Sequence, residues 1–176
     1  MELSQQLAQT NWIENLAYEE LNMDESGVVI MNQHLDPNIL LEESSVNFMN
    51  ALRDKVEIFI SKFNECRGGQ SHINHVKIFK ISNTVNDFML FRNSLRMVFA
   101  RKSNDQISIG LLVNGKDLYA PRLTEFDAFG ASNQTHDLKA HVGPFNRIIW
   151  KFQGEEIDLD AMVRHYLTEF IRHSAK

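Results

Sequence analysis

From His72 to Gln153 the apolar residues recur at every second position, whereas on either side they recur every three or four. A period of two belongs to a strand with one dry face, and a period between three and four to a helix with one apolar stripe. The chain is therefore expected to be α+β: N-terminal helices, an antiparallel β-meander of about six or seven strands, and a C-terminal amphipathic helix packed on the sheet.

Within the meander, Ile107, Ile109, Leu111 and Val113 alternate with Gln106, Ser108, Gly110 and Leu112, which predicts a half-buried strand. Asn114-Gly115 follows, the pair favoured in a type I′ hairpin because both positions need positive φ. Folding there would set Val113 against Lys116, Leu111 against Leu118, Gly110 against Tyr119 and Ile109 against Ala120. Pro121 lacks an N–H and so ends that strand or puts it at an edge. A second hairpin is expected from Asp137–Val142 to Asn146–Gln153, turned by Gly143-Pro144, with Leu138, Ala140 and Val142 sharing a side with Ile148, Trp150 and Phe152. Upstream, Val76–Ser82, Phe88–Arg92 and Leu95–Arg101 read as three more strands, and the aperiodic Thr124–Thr135 reads as a loop.

The helices carry their own punctuation. In 44–67, Met49, Leu52, Val56, Phe59, Phe63 and Cys66 are spaced as a heptad seam, with Phe48, Ile58 and Ile60 widening it to the stripe of a helix lying on a sheet. Ser44 or Ser45 suits the start of this helix, Gly68-Gly69 its exit, and Cys66 reads as a small apolar residue ending the stripe. A final helix over Asp158–Ser174 places Leu159, Met162, Val163, Tyr166, Leu167, Phe170 and Ile171 on one face, with Asp158 as its cap. Residues 3–22 also have helical spacing, and the Asp36-Pro37 step stops any helix that reaches it. These signals divide the chain into an N-terminal helical extension and connector, 1–43, and an α+β domain, 44–176.

Composition excludes several classes. The longest purely apolar runs are four residues, Phe88–Phe91 and Met97–Ala100 among them, against the roughly 20 needed to span a bilayer. Cys66 is the single cysteine, which forbids an intrachain disulfide and suits a reducing compartment. A cytoplasmic protein without a membrane partner is expected. Charge is uneven: residues 1–68 hold 4 basic and 12 acidic side chains, −8, whereas 69–102 hold 6 basic against Asp87 alone, +5. Such asymmetry serves solubility first and an anionic partner second.

Catalytic signatures are absent. There is no Gly-x-Ser-x-Gly and no phosphate loop, and Glu155, Glu156, Asp158 and Asp160 are explained by an acidic helix start. Cys66, His72 and His75 have only loose metal-ligand spacing and would need His136 or His141 as a fourth donor, so no metal or cofactor is expected.

Candidate binding residues lie on the polar side of the strands: Lys139, His141, Arg147 and Lys151, joined by Lys77, Arg92 and Arg96 if the strands are contiguous. Phe145, presented by the Gly143-Pro144 turn, completes the set. Three functions are weighed in order. The first is a non-catalytic protein-interaction or adaptor module, homodimeric in one version, because two strong amphipathic helices exceed what one small sheet face covers. The second is binding of single-stranded nucleic acid or another polyanion on the basic face, with interleaved Phe79, Phe91, Phe99, Tyr119 and Phe145 for stacking. A metal-dependent or Cys/His enzyme is third.

Overall fold

A computed structural model describes residues 2–28, 36–68, 74–113 and 135–175. The chain forms two compact units, Met1–Asp36 and Pro37–Lys176. The first holds helix α1, Glu2–Ser26, which closes at Gly27 in the left-handed region (φ 68°) with the Gly27 N–H donating to Met23 O at 2.9 Å. From Trp12 onward its apolar side chains are not sorted to one side. Trp12 and Leu21, both exposed, lie nine residues apart and hence about 180° apart around the axis.

The second unit begins with α2, Pro37–Arg67. Proline suits a first helical position, where its missing N–H would have no partner anyway. The helix thus starts at Pro37 rather than near Ser44. Ser45 lies inside it, buried, its hydroxyl donating back to Glu42 O at 2.7 Å. Gly68 (φ 58°) closes the helix. Asn64 then holds the returning chain by both backbone groups of Val76: its Nδ2 donates to Val76 O at 2.9 Å and its Oδ1 accepts from Val76 N at 3.0 Å.

Among the described residues, seven antiparallel strands follow in sequence order: β1 Lys77–Lys80, β2 Phe88–Arg92, β3 Leu95–Ser103, β4 Gln106–Val113, β5 His136–Val142, β6 Ile148–Phe152 and β7 Glu155–Glu156. Helix α3, Leu159–His173, closes the fold, with Asp158 Oδ1 accepting from Ala161 N at 2.9 Å as its cap. The β2–β3 turn uses Asn93 and Ser94, both with positive φ, as a type I′ hairpin requires. The expected pairing of the second hairpin is present, Ala140 opposite Trp150 and Val142 opposite Ile148.

The register defines the two faces. Phe88, Leu90, Met97, Phe99, Ile107, Ile109, Leu111, Leu138 and Trp150 form the helix-covered face, and they pack against Met49, Leu52, Val56 and Ile60 of α2 and Val163, Tyr166, Leu167 and Phe170 of α3. Phe88 and Phe99 are stacked with centroids 4.6 Å apart, and Trp150 Nε1 donates to Ser44 Oγ at 3.1 Å.

Three expectations about the sheet are corrected as well. First, the middle of the sheet is dry on both faces. Val98 and Leu112, which point away from the helices, are each only 8% exposed, so β4 is not half-buried. Second, Ile109 has Phe99 on one edge and His136 on the other, which leaves no edge there for Ala120. The Asn114-Gly115 turn, the strand expected over 116–120 and residues 124–134 of the loop lie outside the described residues. Third, Glu155–Glu156 is a strand paired with β6 through a Gln153-Gly154 turn of positive φ, not the beginning of the last helix.

Candidate functional site

A groove of about 640 Å³ runs between α2 and α3. Its apolar floor is Phe59 and Phe63 from α2 with Leu167 and Ile171 from α3, and its polar rim is Asp160, Arg164, Thr168 and Arg172. Helical phase explains why aromatic rings are there. Advancing 100° per residue, Ile60 returns to within about 20° of Met49 around the axis, while Phe59 falls about 80° away. A heptad seam drifts against a straight helix in this way. The core therefore takes Met49, Leu52, Val56 and Ile60, leaving Phe59 49% exposed and its neighbour Ile58 67% exposed. Cys66, expected at the end of the buried stripe, is exposed for the same reason.

Charge around the groove has a definite sign. Asp160 is engaged by Lys55 in an ion pair across the two helices, and Glu169 is paired with His173 at 3.1 Å. Arg164 and Arg172 are both exposed, and neither forms an ion pair with any described residue.

Beneath the groove, Arg92 occupies the helix-covered face and is 5% exposed. Its Nε donates to Asn74 O at 2.9 Å, Nη1 reaches Ile171 O at 3.4 Å, and the guanidinium lies 5.4 Å from the Phe63 ring centre. Burial pushes its pKa down, and nearby Arg67 adds to that. Arg92 therefore ties the last turn of α3, whose carbonyls carry partial negative charge, to the sheet and does not join the basic face.

The remaining residues expected on the basic face separate into two groups. Lys139 lies directly opposite Lys151, with His141 two residues along on the same side, and Glu156 opposite Lys151. Arg147 joins that end through Glu156 at 3.5 Å. Lys77 and Arg96 sit at the far end of the sheet, flanking Phe91, and the Arg96 guanidinium is 5.5 Å from that ring. Between the groups lie Met89, Val98 and Leu112. Phe145 is fully exposed on a Pro144–Asn146 turn with φ 57°. The structure brings Lys139, His141, Arg147 and Lys151 together but does not join them to Lys77 and Arg96.

A smaller cavity of about 250 Å³ lies among β5, β7 and α3, lined by Leu138, Phe152, Ile157 and Met162 with His136, Tyr166, His165, Glu155, Glu156 and Asp158. His136 Nδ1 is 2.8 Å from the Tyr166 hydroxyl. Burial pushes the His136 pKa down, His165 adds to this and Asp137 opposes it, while burial pushes the Tyr166 phenol up. Both shifts favour the uncharged form of each side chain.

Among the described residues no group of three or more His, Cys, Asp or Glu side chains is placed to hold a metal ion; His72 lies outside them. Sequence patterning missed Arg164 and Arg172 because both sit on the polar side of the α3 stripe, where surface arginines are ordinary. The available signal was the 3.6-residue phase of α2, which releases Phe59 from the core beside them. Comparison with protein-family models, with curated proteins and with solved structures finds no match for this chain, so the candidate site rests on its own geometry.

Proposed function

We propose that this chain is a non-catalytic protein-interaction module that docks a partner through the α2–α3 groove. The observation that carries this reading is the half-exposed Phe59 ring beside Phe63, Leu167 and Ile171, a concave apolar surface of a size suited to helix-in-groove recognition. Several ionisable groups around the smaller cavity already have structural work: Asp158 caps α3, Glu156 pairs with Arg147, and His136 is hydrogen-bonded to Tyr166.

Quantitative affinity capture on the immobilised full chain tests this. Proteins retained by wild type should be lost with Phe59→Asp and kept with Lys139→Glu/Lys151→Glu. Retention that ignores Phe59→Asp but fails with the lysine variant would move the docking surface to the sheet and contradict the proposal.

A further inference from the structure

We infer that the groove takes an acidic amphipathic helix supplied by a protein partner; this rests on the docking reading above and adds the chemistry of the occupant. Phe59 and Phe63 are one turn apart on α2, and Leu167 and Ile171 one turn apart on α3, so the floor is two apolar rails. Apolar side chains of a partner helix at i, i+4 and i+7 would seat between them.

The rim selects charge. With Asp160 engaged by Lys55, the charges left on the groove lining are those of Arg164 and Arg172. They are eight residues apart on one helix, hence about 12 Å along its axis. A partner helix aligned with α3 meets both with carboxylates seven or eight residues apart. A basic helix would instead bring like charges together over an apolar floor, where water screens them least.

The chain has an acidic helix of its own: residues 1–36 hold 7 acidic side chains and no Lys or Arg. From Trp12 to Leu21 its apolar residues surround the axis rather than forming the single stripe that two rails would seat.

Two fluorescent 18-residue peptides provide the test, both with Leu at i, i+3, i+4 and i+7 repeats, one with Glu and the other with Lys at its polar positions. Titrated with the full chain, the Glu peptide should bind about tenfold more tightly than the Lys peptide, the sum expected for two rim pairs changed from attraction to repulsion. Arg164→Glu/Arg172→Glu should reverse the order, and added salt should shrink the difference. Equal binding of the two peptides, abolished by Phe59→Ser, would overturn the acidic partner while keeping the groove. Binding of neither peptide, or binding that Phe59→Ser leaves unchanged, would overturn both. Binding that appears only with Trp12→Ser/Leu16→Ser would assign the groove to the chain's own first helix and overturn the external partner. Thermal unfolding of each variant verifies that it is folded.

Discussion

The Arg92 guanidinium sits 5.4 Å from the centre of the Phe63 ring, and the same ring forms part of the groove floor. A buried cation thus supports one wall of an open apolar surface. It does so by holding three pieces at once: Asn74 before β1, Ile171 near the end of α3, and Phe63 on α2.

Replacing Arg92 removes those ties, taking from Asn74 O its Nε–H donor and leaving Ile171 O with the Ser174 hydroxyl at 3.3 Å. Arg92→Met should cost about 2–4 kcal/mol of folding stability, read by chemical denaturation, because the stem is replaced but the hydrogen bonds are not. Arg92→Lys keeps a charge but not the fork, and should recover less than half of the loss. A change under about 0.5 kcal/mol for Arg92→Met would show that the cation is not part of the support.

The phase of α2 can be tested by pairing two adjacent residues. Ile60→Ala removes a core side chain and should cost about 2–4 kcal/mol, whereas Phe59→Ser, at a half-exposed position, should cost under about 1 kcal/mol despite deleting more atoms. Equal losses would mean that Phe59 is packed like a core residue.

The His136–Tyr166 pair predicts a pH dependence of definite sign. The folded-state pKa of His136 is held below its ordinary 6.5, so in the window below that value the unfolded chain binds more protons than the folded one. Its contribution to stability is complete above pH 6.5 and is lost as pH falls toward the folded pKa. His136→Gln should flatten the decline measured by denaturation between about pH 7.5 and 5 relative to wild type. His165 and Asp137 also act there, and Glu155, Glu156 and Asp158 line the same cavity, so the wild-type minus variant difference is the quantity to compare. Identical slopes would contradict the assignment.

Lys139 faces Lys151 directly across β5 and β6, and like charges in that position repel. Lys139→Glu should therefore stabilise the domain by about 0.5 kcal/mol at low salt, with the gain fading as ionic strength rises. Destabilisation by this change would point to a local arrangement other than simple repulsion.

Much of this fold was readable from residue spacing because alternation and capping are local. Phe88–Arg92 and Leu95–Arg101 were legible as strands, and Asp158 as a cap, from a few neighbouring residues each. What spacing could not supply was which edge of β4 is taken. His136, 27 residues after Ile109, occupies it, and no local pattern encodes a pairing over that distance. The position of Arg92 escaped for a related reason. In sequence it is an arginine ending a strand, and only the arrival of Ile171 and Phe63 from two helices makes it a buried tie. The groove was half legible: Phe59 belonged to the recognised apolar stripe, but a 3.5-residue seam assigned it to the core and a 3.6-residue helix takes it out.

Amide and methyl NMR of the labelled full chain during titration with the Glu-bearing peptide tests the central claim most directly. Shift changes concentrated at Phe59, Phe63, Arg164, Leu167, Ile171 and Arg172 are predicted. Changes centred instead on Lys139, His141 and Lys151, or on the His136–Tyr166 cavity, would contradict the account.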